Sequence, residues 1–293
     1  MRYTYYPGCS LESTSKAYDR SLRAVFRLLG HELEELEDWN CCGSTAYTSV
    51  AETMALAVCA RNLALAEQKG GDLVAPCSAC YTVLNKTDRF LREQPELRAR
   101  VGEALAEAGL VYHGSLRIRH PLDVLVNDIG LEAIAAKAVR RLDGIAVAPY
   151  YGCQIVRPER SFDDREVPMA LDVLFERLGA TVTDYPMKVR CCGGMLMTTV
   201  DTVGLRLCYE LLQSAVDSGA AVIATTCPLC HINLEAYQGA INRRFKAHIR
   251  IPVVFFTQLV GLALGAGAKE LGLDTHLIPF EPALAPLAEA AHV

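Results

Sequence analysis

The chain of 293 residues repeats one succession of apolar and polar segments in its two halves. Each half opens with a short apolar and tyrosine-rich run, typical of a buried strand, and continues with apolar residues spaced three and four apart, typical of an amphipathic helix. A second strand, a second helix and a third strand follow. The predicted segments are strand 2–6, helix 13–30, strand 31–36, helix 51–68 and strand 72–75, and, in the second half, strand 144–151, helix 169–178, strand 179–182, helix 203–218 and strand 221–225.

The remaining pattern predicts helix 81–108 interrupted at Pro95, helices from His120 and over 133–141, and a last strand over 253–256. The tail after residue 267 is rich in Ala, Pro and Leu and is expected to be loosely held. Alternating strands and helices predict an α/β fold of two pseudo-symmetric halves, each a small parallel or mixed sheet flanked by helices. The expected domains are 1–140 and 141–293, and without a proline-rich linker between them the halves should pack directly.

Cysteines occur at equivalent positions in the two halves of this repeat. Each half has a lone cysteine after the first strand, a Cys-Cys-Gly after the second and a Cys-x-x-Cys after the third. In the first half 31 residues separate the lone cysteine from the pair and 34 separate the pair from the Cys-x-x-Cys; in the second the gaps are 37 and 34. Strand ends of a parallel sheet meet at one edge, so the cysteine loops are expected to gather there.

The composition is that of a globular protein and disfavours several other classes. Hydrophobic residues make up 51% and charged residues 22%, and the net charge of -5 argues against a role centred on nucleic acid. The N-terminus lacks the apolar run of a signal peptide and no stretch is long enough to span a bilayer, so residence in the cytoplasm is expected. In that reducing compartment, twelve cysteines are better explained as metal ligands, redox groups or buried residues than as a disulfide framework.

Five thiolates in each set exceed what common metal sites use. Four saturate a tetrahedral zinc or a 4Fe-4S cubane, and soft sulfur favours these metals over magnesium or calcium. Adjacent cysteines point in different directions, which suits a cluster of several irons better than a single ion, and the following glycine lets backbone approach the inorganic core. The alternative that Cys41 and Cys42 are only small buried residues is disfavoured by the duplication.

Other residues carry weaker signals. Cys59 and Cys208 lie within helical segments among apolar neighbours and are predicted to be core residues. His231, directly after the second Cys-x-x-Cys, is a candidate catalytic proton donor or a hydrogen-bonding neighbour of sulfur, or else an ordinary helix-start residue. His120 is predicted to cap a helix or to lie in the core rather than to bind metal.

Two basic residues precede the second Cys-Cys pair. Lys188 and Arg190 could balance the negative charge of a cluster or attract an anionic thiol, although a solvated basic loop explains them equally well. The sequence contains no phosphate loop, no dinucleotide-binding glycine motif and no zinc-protease motif, so electrons must be supplied by another protein.

The doubled pattern C-x31-C-C-G-x33-C-x-x-C and C-x37-C-C-G-x33-C-x-x-C resembles the cysteine-rich CCG domain family, specifically the B-type subunit of heterodisulfide reductase and its bacterial relatives, over nearly the whole chain. In that family the five cysteines of each complete motif hold a noncubane 4Fe-4S cluster. The resemblance implies two such clusters, one held by Cys9, Cys41, Cys42, Cys77 and Cys80, the other by Cys153, Cys191, Cys192, Cys227 and Cys230.

The resemblance also implies an activity and partners. A disulfide between the two clusters receives one electron from each side and is cleaved, or in reverse a thiol or protein-bound sulfur is oxidised. Family members work with a C-type iron-sulfur subunit and an A-type flavoprotein subunit. Two substrates remain possible: the coenzyme M and coenzyme B heterodisulfide of methanogens, or a bacterial sulfur carrier. The Ala, Leu and Arg content favours the bacterial type.

Three alternatives remain open at this stage. The chain could be a non-catalytic electron-transfer CCG subunit of a succinate or lactate oxidation complex. It could consist of structural zinc modules, against which the fifth cysteine argues. One of the two cysteine sets could also hold zinc, or lose its cluster on isolation, while the other keeps its cluster.

Overall fold

The computed structural model describes residues 1–44, 46–158 and 162–284, which form two four-stranded sheets. The first sheet contains β1 Arg2–Tyr5, β2 Glu32–Glu35, β3 Leu73–Val74 and β4 Ile118–Arg119; the second contains β5 Ala146–Tyr150, β6 Thr181–Val182, β7 Val222–Thr225 and β8 Val253–Phe255. Their orders are β2-β1-β3-β4 and β6-β5-β7-β8. All strand pairs are parallel, so the parallel form of the predicted sheets is the one observed.

Helices connect the strands and cover the sheets. In the first half they are α1 Gly8–Glu12, α2 Lys16–Leu29, α3 Ala46–Val50, α4 Glu52–Lys69, α5 Ser78–Glu93, α6 Pro95–Glu107, α7 Pro121–Asp123 and α8 Leu131–Lys137, with a π-helical segment Val124–Gly130 before α8. In the second half they are α9 Ala170–Arg177, α10 Leu196–Thr199, α11 Asp201–Asp217, α12 Pro228–Glu235, α13 Gln238–Phe245 and α14 Phe256–Ala263, followed by 3-10 turns Leu273–Thr275 and Glu281–Leu284.

The sequence pattern explains why these elements form. All four residues of β7 are buried, as expected of a strand with helices on both faces of its sheet. In α2 the residues Tyr18, Leu22, Val25 and Phe26 are fully buried on one face, and Gly30 ends the helix in the left-handed conformation at φ 82°. The alternation of short strands and amphipathic helices predicted from the sequence is confirmed.

The two halves exchange their final helices. α14, which follows the last strand of the second sheet, packs against α2 of the first half. In the first half, α7 and α8 follow the last strand in the same way and pack against α9, the second-half counterpart of α2. Tyr18 stacks on Phe255 with ring centroids 4.4 Å apart, and the hydroxyls of Ser21 and Thr257 lie 2.6 Å apart. The halves therefore share one continuous apolar core.

The sequence pattern did not predict every element: the short helices α1, α3 and α10, helix α13 and strand β4 are among those without a predicted counterpart. β4 was not predicted, because its two residues, Ile118 and Arg119, do not form an apolar run: one of them is a buried arginine. The tail after residue 267 is held by the fold through residue 284, contrary to the loose tail expected: Leu271, Leu273 and Phe280 are 0%, 4% and 1% exposed. The last part of the predicted loose tail, residues 285–293, lies outside the described residues.

Candidate metal centres

The cysteines lie at the carboxyl ends of the parallel strands. Cys77 follows β3 and precedes the first residue of α5, and Cys227 follows β7 and precedes the first residue of α12. The exposed N–H groups of a helix start favour negative charge, which suits thiolates there. Cys9 was expected on a loop but lies within the short helix α1, because Gly8 turns the chain immediately after β1. The predicted gathering of cysteines at one sheet edge is present in each half.

The five cysteines of the first set converge. Cys9 Sγ lies 3.8 Å from Cys41 Sγ, and Cys42 Sγ lies 3.2 Å from Cys80 Sγ. Cys77 is hydrogen-bonded to Cys80. Cys9 and Cys41 are exposed and the other three are buried, so the set has a solvent-facing side and an interior side.

The second set repeats this geometry. Cys192 Sγ lies 3.4 Å from Cys230 Sγ, and Cys153 is hydrogen-bonded to Cys191. Cys191 is exposed and Cys153 is half-buried, whereas Cys192, Cys227 and Cys230 are buried. The two sets thus match in their contacts and in which three cysteines are buried, and differ in that Cys9 is exposed while Cys153 is half-buried.

The interior sides of the two sets touch each other. Cys77 and Cys227 face each other across the junction of the halves, close enough for each thiol to shift the pKa of the other. Beside them, the Ser78 hydroxyl donates to the Thr226 carbonyl oxygen at 3.1 Å, and the Thr82 hydroxyl donates to the Gln154 carbonyl oxygen at 2.7 Å. The two cysteine sets therefore adjoin at the junction of the halves through Cys77 and Cys227.

The protonation of the thiols depends on their mutual hydrogen bonds. The Cys191 thiolate accepts from Cys153 and from the Gly193 N–H, and these bonds lower the pKa of Cys191 to about 6. The hydrogen bond to Cys42 and burial raise the pKa of Cys41. Sulfur atoms this close cannot all ionise without positive charge, which bound metal ions would supply.

Glycines allow the backbone to pass close to sulfur. A Cβ at Gly8 would lie 3.2 Å from Cys80 Sγ, and one at Gly152 would lie 3.0 Å from Cys230 Sγ. Both glycines have positive φ, at 70° and 68°, which other residues rarely adopt. Five convergent thiols with no room for extra carbon atoms fit a soft, multi-iron group better than a hard cation.

A hydrogen-bonding scaffold around the Cys-Cys pairs was not foreseen from the sequence. The buried Tyr6 hydroxyl donates to the Asn40 carbonyl oxygen at 2.9 Å, and the buried Tyr150 hydroxyl donates to the Arg190 carbonyl oxygen at 2.8 Å. Each tyrosine thereby fixes the residue immediately before its pair. The available signal in the sequence was the tyrosine three positions before each lone cysteine.

Asn233 supports the second pair through its side chain. Its Nδ2 donates to the Cys192 carbonyl oxygen at 3.3 Å and to the Gly194 carbonyl oxygen at 2.9 Å, and it lies 3.6 Å from Cys192 Sγ. A donor to a ligand sulfur stabilises the anionic form of the ligand. Asn233 is three residues after Cys230, on the same face of α12.

The other two cysteines are in the interior of the halves. Cys59 in α4 and Cys208 in α11 are both fully buried. The Cys208 thiol donates to the Cys192 carbonyl oxygen at 3.2 Å and so holds the backbone of the pair. Both positions agree with the predicted role as core residues.

The structure places the two predicted histidines in different surroundings. His231 is buried and stacks on Phe255 with ring centroids 4.3 Å apart. Its Nε2 lies 3.2 Å from His276 Nδ1, and burial lowers the pKa of His231 to about 4. His120 caps α7 by accepting from the Leu122 N–H at Nδ1, as expected of a capping residue.

The two predicted basic residues near the second pair also differ. Lys188 Nζ lies 3.1 Å from Asp172 Oδ1, and both side chains are mostly buried, so Lys188 belongs to an internal ion pair. Arg190 is exposed, and its carbonyl oxygen is held by Tyr150. Of the two, Arg190 is the one whose charge faces solvent near Cys191.

Comparison with known proteins identifies relatives. A family model described as the cysteine-rich domain CCG matches residues 3–85 and 147–235. A protein of Archaeoglobus profundus, named as similar to the B-type subunit of heterodisulfide reductase, is 34% identical over 90% of this chain and 91% of its own. The 8-methylmenaquinol:fumarate reductase membrane anchor subunit of Wolinella succinogenes is 32% identical over 94% of this chain and 96% of its own.

A solved structure shares the fold. The crystal structure of a hypothetical protein from Helicobacter pylori superposes with a TM-score of 0.76 at 18% identity, covering 94% of this chain and 52% of that one. Within the described part of the chain, each helix is too short or too polar to cross a bilayer. The two family matches coincide with the two halves that carry the cysteine sets, and the chain belongs to the cysteine-rich CCG domain family.

Proposed function

We propose that the chain is an iron-sulfur oxidoreductase subunit in which each five-cysteine set holds one noncubane 4Fe-4S cluster and a disulfide or thiol substrate reacts between the two. The observation that carries this proposal is the Cys77–Cys227 contact, which joins the two sets. A substrate with two sulfur atoms can meet both sets at once only if they adjoin. The name of the Archaeoglobus relative supports the same chemistry.

The protein groups have defined tasks in this reaction. When bound, the clusters supply iron that takes up single electrons and sulfur. Cleaving a disulfide breaks one S–S bond, consumes two electrons and two protons and yields two thiols; the reverse direction releases them. The exposed Cys9, Cys41 and Cys191 leave a solvent-facing side through which substrate and protons can arrive. Proton donation by His231 stays a prediction.

A basic cavity suggests the class of substrate. Its volume is about 590 Å³, and it is lined by Tyr81, which follows Cys80, and by six Lys and Arg side chains. Each of the six also forms an ion pair with an acidic side chain, and Arg119 pairs with three aspartates. Arg119 at its wall is 1% exposed, and within the described residues its Nη2 has no hydrogen-bond partner. Guanidinium groups favour carboxylates, sulfonates and phosphates. We infer that the substrate thiol or disulfide carries such an anionic group.

Electrons must reach the chain from other proteins, because its sequence has no nucleotide- or flavin-binding motif. Both relatives bear names of subunits of reductases, which supports a multi-subunit complex. We propose as partners an iron-sulfur protein of the C type and a flavoprotein of the A type, by analogy with heterodisulfide reductase. Twelve thiols without a disulfide among them suit the reducing cytoplasm as the place of action.

A second candidate is an electron-transfer subunit without substrate chemistry of its own. The Wolinella relative, named as a subunit of a quinol:fumarate reductase, favours this candidate. In that case both clusters would pass electrons on while the sulfur-lined junction binds no thiol. Thiol binding separates the two candidates.

Metal analysis of anaerobically purified protein tests the proposed clusters. We expect about eight iron and about eight acid-labile sulfide per chain, four of each per cysteine set. Cys42→Ser should lose about half of the iron, and Cys59→Ala, which changes a buried cysteine outside the sets, should keep all of it. Zinc in place of iron in the wild type, or full iron in Cys42→Ser, would refute the assignment.

Adding a thiol tests the substrate chemistry. With iron loaded and the protein oxidised, titration with a thiol that carries a sulfonate or carboxylate should change the paramagnetic resonance spectrum. An uncharged thiol of equal size should act only at higher concentration because it lacks the anionic group. An unchanged spectrum with either thiol would leave the electron-transfer candidate as the function.

A further inference from the structure

Three potential metal ligands lie close together near the C-terminal end of α12, outside the cysteine sets. His231 Nε2 lies 3.2 Å from His276 Nδ1, which lies 3.1 Å from Glu235 Oε1. The other carboxylate oxygen of Glu235 lies 3.6 Å from His231 Nε2. All three side chains are 2–10% exposed. One turn of helix separates His231 from Glu235, and His276 follows the 3-10 turn of the tail.

The remaining hydrogen bonds of His276 decide where its proton is. Gln258 Oε1 accepts from the Phe255 N–H at 2.8 Å, and Gln258 Nε2 donates to the Leu271 carbonyl oxygen at 3.0 Å, which fixes the orientation of the amide. His276 Nε2 lies 3.0 Å from this oxygen and must donate to it. Because Nε2 carries a proton for this bond, Nδ1 is the His276 nitrogen that can bind a metal ion, and it faces Glu235 Oε1 and His231 Nε2.

His231 also presents a ring nitrogen to Glu235 and His276. Its Nε2 faces His276 and Glu235, and its ring is buried against Phe255, which fixes the orientation of the imidazole. His231 Nε2, His276 Nδ1 and the Glu235 carboxylate therefore face one another in a buried space. Such an arrangement is costly unless a metal ion or a proton lies between the three groups.

We propose that His231, Glu235 and His276 bind a divalent transition-metal ion, with zinc as the ion that fits best. Zinc bonds of about 2.0–2.2 Å in tetrahedral geometry place ligand atoms about 3.3–3.6 Å apart, close to the observed 3.1–3.6 Å. Histidine rings whose second nitrogen is held by a carbonyl oxygen are the usual form of metal-binding histidine. Imidazole and carboxylate ligands suit zinc, and two histidines with one glutamate leave a fourth position open.

The ion would join three parts of the second half. His231 and Glu235 are on α12, which also carries Cys230, and Gln258 is on α14. His276 belongs to the tail, and the Leu277 N–H donates to Glu235 Oε1 at 3.0 Å. The ion thus ties the tail to the helix that positions a cysteine of the second set. A metal ion bound to His231 Nε2 excludes proton donation from that atom. If the site binds metal, His231 is therefore a metal ligand rather than the proton donor of the sulfur reaction.

The experiment measures zinc in the iron-loaded, anaerobically purified full chain. The protein is equilibrated with zinc chloride, passed through a desalting column and measured for zinc content and zinc X-ray absorption. We expect one equivalent of zinc with only nitrogen and oxygen neighbours. Glu235→Gln, which keeps the shape of the side chain, and His276→Ala should lose this zinc without loss of iron. His248→Ala, at an exposed histidine, should keep it.

The zinc measurement on the wild type is by itself enough to refute the proposal. The test therefore remains valid if one of the variants fails to fold. Wild-type protein that retains no zinc, or zinc with sulfur neighbours, shows that the three side chains share a proton rather than a metal ion. Undiminished nitrogen- and oxygen-bound zinc in His276→Ala would place the ion elsewhere. Neither readout depends on turnover, so failure of the proposed sulfur chemistry would leave this test unaffected.

Discussion

Gly152, immediately before Cys153, limits how closely a carbon atom can approach the second cysteine set. An alanine Cβ there would lie 3.0 Å from Cys230 Sγ, inside ordinary van der Waals contact, at a φ of 68°. Gly152→Ala should therefore displace the sulfur and lose about half of the bound iron, in addition to about 1–2 kcal/mol of backbone strain. Iron content and melting temperature under nitrogen measure both effects.

Gly219 provides the control for this substitution. Its φ is 77°, and an added Cβ would have no atom within 4 Å. Gly219→Ala should lower the melting temperature through the same backbone strain while keeping all of its iron. Equal iron content in the two variants would show that the close approach to sulfur is not required.

His120 predicts a dependence of stability on pH. Its Nδ1 accepts from Leu122 N–H and its Nε2 lies 2.9 Å from the Pro76 carbonyl oxygen, so the folded protein holds the neutral ring. Burial lowers the pKa of His120 from 6.5 to about 4. The unfolded chain thus binds the proton more readily, and stability is lost as pH falls from 6.5 towards 4. The difference between the two pKa values limits this loss to about 3 kcal/mol.

Melting temperatures at pH 7.5 and 5 test this contribution. His120→Asn keeps an oxygen that can cap α7 but has no group that titrates in this range. It should start at a lower melting temperature than the wild type and then fall less on acidification. An equal fall in both proteins would mean that other groups cause the acid sensitivity.

At the scale of elements, the tail is the clearest departure from the sequence-based expectation. Leu271 is fully buried, and its Cδ2 would lie 2.3 Å from a Cβ at Gly261 of α14. Leu271→Ala should cost at least about 2 kcal/mol, because it leaves a cavity between the tail and α14. Amide hydrogen exchange in the tail should then accelerate about 30-fold or more. Leu277→Ala, at a side chain that is 67% exposed, should change it little.

The elements that could be predicted are those whose apolar residues recur with a helical or strand period, or whose ends are marked by a glycine or a cysteine loop. α2 shows its apolar face in the sequence and ends at Gly30, and β7 is a continuous apolar run bounded by the cysteine loop. β4 has neither signal, because a charged arginine occupies one of its two positions. His276 lies in a segment without any period, and its relation to His231, 45 positions away, exists only after the tail has packed on α14.

At the scale of the whole molecule, the sequence predicted two similar halves but not how they join. The cysteine spacings indicated that each set would gather, because each half supplies its own five ligands. The Cys77–Cys227 contact depends instead on the packing between halves. That packing comes from the exchange of α14 and of α7 and α8 between halves, which leaves no trace in the pattern because helix faces look alike whichever half covers them.

This exchange makes the two halves depend on each other for folding. Without α14, residues 1–140 would expose the face of α2 that holds Tyr18 and Phe26, both fully buried in the whole chain. We expect residues 1–140 alone to be insoluble or to aggregate, because an exposed apolar helix face of this kind drives association. Residues 141–293 alone should behave likewise, since α9 loses its cover from α7 and α8.

Coexpression of the two halves as separate chains distinguishes mutual dependence from simple damage by the cut. The cut falls beside Val139, which is 76% exposed, so it removes little packing of its own. The separate halves should associate in equal amounts during gel filtration and bind iron to the level of the intact chain, because the exchanged helices restore both covers. A monomeric, cooperatively unfolding 1–140 fragment that binds about half of the iron would instead make the halves independent domains, and the shared core would then be a docking interface rather than a condition of folding.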